Sequence, residues 1–295
     1  MKIMYKIRPS AIATALLAAV AMSMQAHAAA TTISLDSLAA VTTAFPSTFY
    51  QGGGGSGGSL GFDAARNLKL HAATTGDVQA IANAYSAQDY SSALDIFDKG
   101  SITLTFNNVT LSHTNAGAYY FFNLGIGNNN TGNLDGSAVG QKIYFQVDRS
   151  TYSVYLRQRQ GSGAASTLAT WLLGSSAWSF ADGLGSTSIT SLSLTLSSTG
   201  WSATVMATSV APADATQSGD LATPLVKSDW DGHYYIGLQT HTQSTETTRY
   251  VDGFVGSITI NSIPEPKSVS ALAGVGALAF AGVWCVCRRR LMNAA

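Results

Sequence analysis

Between residues 101 and 260, apolar side chains recur at every second position, and this alternation limits the chain to one kind of architecture. Ile102, Leu104 and Phe106 alternate with Ser and Thr, and Val109 and Leu111 resume on the opposite parity. A side-chain period of two belongs to a strand with one buried face, and the change of parity predicts a bulge near Asn107-Asn108. Residues 118–126 are aromatic and apolar except for Asn123, as in a buried central strand. Ile143, Phe145 and Val147 alternate, residues 148–150 supply a turn, and Tyr152, Val154 and Leu156 alternate again, which predicts a hairpin. A second hairpin follows from Ile189, Leu192, Leu194 and Leu196 facing Trp201, Ala203 and Val205 across Thr199-Gly200. Residues 234–240 read as another strand, and Phe254, Gly256, Ile258 and Ile260 as a last one on a single parity. With no amphipathic helix between them, such strands stack as an all-β, antiparallel two-sheet sandwich.

The stretch ahead of this core is less regular. Residues 29–50 are rich in Thr and Ser and have room for a strand. Residues 52–58 comprise six glycines and one serine, with no Gly-Lys-Ser/Thr after them, so they read as a flexible loop rather than a phosphate cradle. Within 77–98, Val78, Ile81, Ala82 and Tyr85 fall at helical spacing, which predicts a short helix. The Asn/Gly-rich residues 127–136 must form a loop.

Both ends read as addresses. Lys2, Lys6 and Arg8 precede an apolar, Ala-rich run over 12–24 and then Ala26-His27-Ala28, the order of a secretory signal peptide cut by signal peptidase after Ala28. At the other end Pro264-Glu265-Pro266 is followed by 20 uncharged residues, 268–287, and by Arg288-Arg289-Arg290. As a helix that run spans about 30 Å, the hydrocarbon thickness of a bilayer. The three arginines are expected to stay cytoplasmic and to leave the preceding chain outside. The parsing is therefore 1–28 signal peptide, 29–100 the first part of the sandwich, 101–263 its core, and 264–290 a sorting signal with one transmembrane helix.

Between these ends, nine basic residues stand against fifteen acidic ones, a net of −6 that the neutral total conceals. A mildly acidic domain is a poor partner for nucleic acid, whose binding rests on Lys and Arg neutralising phosphate. Both cysteines, Cys285 and Cys287, lie in the tail, so no disulfide is available to residues 29–263.

The Pro-Glu-Pro, the apolar helix and the arginines together resemble the PEP-CTERM sorting signal of exopolysaccharide-producing Gram-negative bacteria. The resemblance covers the last 32 residues and implies processing by an exosortase, with the chain held in the membrane first and then placed at the cell surface or outside the cell. Cys285 and Cys287 depart from such tails, which more often carry Leu or Gly there, and a plain tail anchor needs the same helix and arginines. Residues 101–260 also resemble a concanavalin-A-like, laminin-G-like jelly roll, through 101–106, 120–125, the 142–160 hairpin, 191–196 with 201–205, and 235–238 leading to 250–258. That resemblance implies glycan binding on a concave sheet face or at a loop-end calcium ion, and in some members polysaccharide hydrolysis.

Candidate sites are few. Glycoside hydrolysis needs two placed carboxyl groups, and the hydrolase branch of the resembled fold supplies them as Glu-x-Asp-x-x-Glu. Here the domain holds one glutamate, Glu246, and no such motif. No Gly-x-Ser-x-Gly reads as following a strand and opening a helix, and no His-Glu-x-x-His is present. Asp229-Trp230-Asp231-Gly232-His233 crowds oxygen ligands on a turn, which suits Ca²⁺ held by Asp229, Asp231 and the distant Asp252, and equally suits an ordinary turn. Tyr155, Arg157 and Arg159 share the outward parity of the first hairpin; with Trp230 they offer planar rings beside hydrogen-bonding forks, the chemistry of sugar recognition. The expectation is an exported, non-catalytic envelope protein that binds glycan or matrix polysaccharide. The alternatives are an exopolysaccharide-active hydrolase or lyase using Asp carboxylates, and a purely structural matrix component. The mass of the surface-extracted protein checks the processing: a chain from Ala29 to near Pro264 is expected, and one still ending at Ala295 would mean a retained anchor.

Overall fold

The computed structural model describes residues 30–52, 57–74, 78–114, 119–136, 140–175, 178–181, 184–230, 232–244 and 249–263. The signal peptide at 1–28 and the tail from Pro264 onward lie outside them. Among the described residues no helix is long and apolar enough to cross a membrane.

Strands β1 (Ala30–Ile33), β2 (Ser47–Gly52), β3 (Gly57–Asp63), β4 (Asn67–Thr74) and β5 (Val78–Tyr85) lead into the long β6 (Ser101–Thr114) and β7 (Tyr119–Gly127). The two expected hairpins follow: β8 (Gln141–Asp148) with β9 (Ser153–Gln160), and, beyond β10 (Ser166–Leu172) and β11 (Trp178–Ala181), β12 (Leu184–Ser197) with β13 (Gly200–Met206). After β14 (Thr216–Asp220) come β15 (Tyr235–Ser244), β16 (Arg249–Val255) and β17 (Ser257–Ile263). Helices are short: α1 (Leu38–Ala44), α2 (Ser91–Leu94), α3 (Ile96–Lys99) and α4 (Lys227–Trp230).

The strands make two antiparallel sheets, one of ten strands along β14-β13-β12-β6-β16-β4-β3 and one of seven in the order β10-β9-β8-β7-β15-β5-β2. Chain neighbours β4 and β5, β6 and β7, and β15 and β16 fall in opposite sheets, so the chain repeatedly crosses between layers in the manner of a jelly roll. Ile102, Leu104, Phe106, Leu192, Leu194 and Ala203 from one sheet meet Phe122, Leu124, Phe145, Val147, Val154 and Leu156 from the other in one buried cluster. Both hairpins and the central place of β7 agree with the alternation.

The parity change in β6 is wider than a local bulge. Asn108 takes φ 52°, and the buried set moves from 102, 104 and 106 to 109, 111 and 113. The partner β12 changes face at the same level, from Ile189 to Leu192, so the β6–β12 register survives the step. The third strand breaks there too. Gly256 separates β16 from β17 and donates its N–H to the Asn107 carbonyl at 2.9 Å. All of 251–255 are buried, but the residues turned to the interlayer are 251, 253 and 255 before the break and 258 and 260 after it. This corrects the single parity expected for 254–260: Phe254 faces away from the interlayer, with the Arg66 guanidinium 3.6 Å from its ring centre.

The short helix expected within 77–98 is corrected at the residues whose spacing suggested it, the helical turns of that stretch being α2 and α3 further along. Residues 78–85 form β5, clamped between β15 and β2. Ala80, Ala82 and Ala84 turn into the core, while Ile81, Asn83 and Tyr85 take the other face. Pairing on both edges outweighs the weak helical preference of alanine. The expected glycine loop contributes its ends to strands, Gly52 to β2 and Gly57-Gly58 to β3, and residues 53–56 lie outside the described set.

Gly253 tests the interlayer. A Cβ there would sit 2.5 Å from the buried Phe122 ring, whereas one at Gly61 on β3 would meet nothing within 4 Å. Gly253→Ala is expected to cost roughly 1–3 kcal/mol of stability by overpacking, read as a lower urea midpoint, and Gly61→Ala to be near neutral.

Candidate functional site

The seven-stranded sheet buries one parity against its partner and presents the other outward. Cross-strand register places Asn83 (β5), Gln239 (β15), Asn123 (β7), Gln146 (β8) and Tyr155 (β9) directly opposite one another in a single row. Four consecutive strands thus carry an amide at the same level, and all four amide residues are buried, with Gln146 the most open at 5 % exposure. One row further along lie Tyr85, Gly237, Gly125, Tyr144 and Arg157, and beyond it Tyr235, Gly127, Lys142 and Arg159.

The Asn/Gly-rich loop 128–136 lies across part of this outer face. Its Leu134 is fully buried among Tyr85, Tyr144 and Tyr235, a small apolar cluster apart from the main core. Amides hold the loop down. Asn83 donates to Asn133 Oδ1 at 3.0 Å and accepts from the Leu134 N–H at 3.3 Å. Gln239 accepts from the Asp135 N–H at 3.0 Å and donates to the Asp135 carboxylate at 2.7 Å. The Tyr85 hydroxyl donates to the Gly132 carbonyl at 2.7 Å, and two cations complete the fastening, Lys142 to the Asn133 carbonyl and Arg159 to the Asp135 carbonyl.

The other half of the row is used less: Asn123 also lends Asp135 a side-chain hydrogen bond. Asn123 donates to Gln239 Oε1 at 2.8 Å, but its own Oδ1 and the Oε1 of Gln146 are buried with no hydrogen-bond partner among the described residues. Leaving a buried acceptor unpaired costs about 1–3 kcal/mol, so two side by side on one face mark a place where an outside donor is wanted. Tyr155 continues the row, with the Arg157 guanidinium 4.9 Å from its ring centre. Pairing of an aromatic face, a fork of donors and two amide acceptors is the equipment for holding a polyhydroxylated ring.

Charge on this face is unevenly compensated. Burial works against ionisation of Asp135, but the hydrogen bond and charge of His241 and the Gln239 amide outweigh it and hold its carboxyl below the usual range. His241 Nδ1 is 3.5 Å from that carboxylate, and its Nε2 is 2.6 Å from the Gln79 amide. Lys142 is pushed down to about 8, first by burial and then by the neighbouring Arg159 charge, against a smaller pull from Asp135.

Of the residues singled out in the sequence, Tyr155, Arg157 and Arg159 do come together on this outer face. Trp230 does not: it is fully buried, stacks on Tyr234 at 5.2 Å and donates its indole N–H to Gln141 Oε1 at 2.7 Å, so no sugar can reach its ring. The calcium set is not assembled from Asp229 and Asp252. Asp229 accepts from Gln141 at 2.8 Å beside the seven-stranded sheet. Asp252 lies on the ten-stranded sheet between His71 Nδ1 at 2.6 Å and Lys69 Nζ at 3.1 Å. Asp231 is outside the described residues, among which no three His, Cys, Asp or Glu side chains gather as a metal site. The exposed Ser59 is opposite His71 in register.

The amide row was missed in the sequence because amides recur along these strands, at 79 and 83, 141 and 146, and 239 and 243, and only cross-strand register shows which of them share a level. The available signal was an Asn or Gln on the outward parity of four strands, at 83, 123, 146 and 239.

No protein-family model matches the sequence, and no curated protein does. Solved structures similar in shape include a protein of unknown function from Shewanella oneidensis MR-1 (11 % identity, TM-score 0.41, covering 88 % of this chain and 96 % of that one). The carbohydrate recognition domain of Emp47p is similar at 11 % identity and TM-score 0.44, over 72 % of this chain and 88 % of the other. Peanut lectin is similar at 12 % identity and TM-score 0.41, over 79 % and 97 %. These are loose likenesses, and the architecture rests on the chain's own strand pairings.

The Asp135 anchor gives a pH signature. Its carboxyl titrates lower in the folded chain than in the unfolded one, so the stability it contributes is present above the ordinary aspartate range, near 3.8, and is lost as the pH falls through its depressed folded value. Urea unfolding followed from neutral pH down through that range should show this loss in the wild type, and Asp135→Asn should flatten it.

Proposed function

We propose that this chain is an exported, non-catalytic saccharide-binding protein whose ligand lies on the outer face of the seven-stranded sheet, beside loop 128–136. The observation that carries the reading is the pair of buried acceptors without a partner among the described residues, Asn123 Oδ1 and Gln146 Oε1, in line with the Tyr155–Arg157 stack. Sugar hydroxyls supply the missing donors, and the apolar face of a sugar ring covers the tyrosine. The cell-envelope setting is supported by sequence alone: the 1–28 leader, and the tail with Pro264, Glu265, Pro266 and Arg288 to Arg290, which resembles an exosortase substrate. In that setting the polymer at hand is envelope or matrix polysaccharide.

Gln146 separates a binding role from a structural one. Gln146→Leu removes an unpartnered buried oxygen in nearly the same volume, so stability should hold or rise. Retention on polysaccharide should fall in the same variant, and Tyr155→Ala should weaken it by about tenfold through loss of the stacking face. Affinity electrophoresis of the full-length chain against a panel of neutral and acidic polymers reads both. Loss of stability in Gln146→Leu with retention unchanged would remove the basis of the proposal.

A further inference from the structure

Three cations project on the proposed binding face without a carboxylate to answer them. Lys142 and Arg159 are directly opposite on β8 and β9, and Arg157 follows two residues before Arg159 on the same face. Like charges directly across a strand pair repel, an arrangement that is destabilising unless something offsets it. Lys142 and Arg159 do reach loop carbonyls, those of Asn133 and Asp135. A carbonyl is a dipole and leaves the net charge in place. Among the described residues none of the three is in an ion pair, and the Nε atoms of Arg157 and Arg159 are buried without a partner.

The acidic groups on the same face are committed elsewhere. Asp135 directs its carboxylate to Gln239 and His241. Asp148, two residues beyond Gln146, accepts from the Ser150 N–H at 2.7 Å and hydroxyl at 2.6 Å in the turn that follows. The depressed lysine fits this picture, since the charge of Arg159 is one of its causes. Residues 29–263 carry a net of −6, so a local excess of positive charge is not a general property of the surface.

Resting on the saccharide-binding reading, we infer that the ligand is an acidic saccharide, whose carboxylate is received by Arg157 at the end of the Lys142–Arg159 pair. A guanidinium fork matches the two oxygens of a carboxylate, and the charge supplied relieves the cross-strand repulsion. The remaining ring hydroxyls then meet Asn123 and Gln146, with Tyr155 beneath the ring.

The test uses the full-length chain with polygalacturonate, the same polymer after methyl esterification, and dextran. Polygalacturonate is expected to be retained and its ester to be lost. Arg157→Gln should weaken the acidic polymer by about tenfold or more, and Arg157→Lys, which cannot form the fork, should not restore it. Equal retention of ester or dextran, weakened by Tyr155→Ala, would overturn the acidic preference while leaving the saccharide site standing. Polygalacturonate held equally by wild type, Tyr155→Ala, Gln146→Leu and Arg157→Gln would mean adsorption elsewhere on the surface and would overturn both readings. No retention of any of the three polymers would do the same.

Discussion

An interlayer packed from both sides leaves no choice about which side chains remain outside. Once Phe122, Leu124, Phe145, Val147, Val154 and Leu156 are buried against the ten-stranded sheet, Asn123, Gln146, Tyr155 and Arg157 must point the other way. The outer face is therefore a by-product of core packing, held to the same precision as the core. A slip of one residue in β7, β8 or β15 would place an amide in the interlayer and an aromatic on the surface, which makes the register costly to change.

The ten-stranded sheet obeys the same rule through a less regular route. Its central strands change face together, at Asn108, between Ile189 and Leu192, and at Gly256. A bulge in one strand alone would have put its second half out of phase with its neighbours. Two pairs of its outward hydroxyls meet, Thr103 with Thr195 at 2.8 Å and Thr105 with Ser193 at 3.0 Å. On the outer face of the seven-stranded sheet, Asn123 Oδ1 and Gln146 Oε1 have no such partner among the described residues, and the proposed ligand rests on that contrast.

Loop 128–136 draws most on Asn83 and Gln239 and leaves Asn123 Oδ1 and Gln146 Oε1 without a partner among the described residues. Gln239 is the joint between the halves, since its Oε1 accepts from both the Asp135 backbone and Asn123. Order in the loop and in the open amides is thus coupled through one side chain. Two loop carbonyls also draw Lys142 and Arg159 close together, so the positive charge of the face depends on the same loop that covers part of it.

Alternation by itself determined the all-β class and both hairpins, because a side-chain period of two admits one local geometry when one face must be buried, and the near-continuous apolar run over 118–126 marked β7 as central. It also picked out Tyr155, Arg157 and Arg159 as neighbours, since they share a parity within one strand. It misjudged 78–85, where the spacing of Val78, Ile81, Ala82 and Tyr85 satisfied a helix, and only pairing with β15 and β2 made a strand of it. It offered Trp230 to a ligand, while packing gave that ring to the core. Tertiary structure alone decided the amide row. Residues 83, 123, 146 and 239 become adjacent through strand order in the sheet, which depends on non-local pairing that no local pattern along the chain encodes.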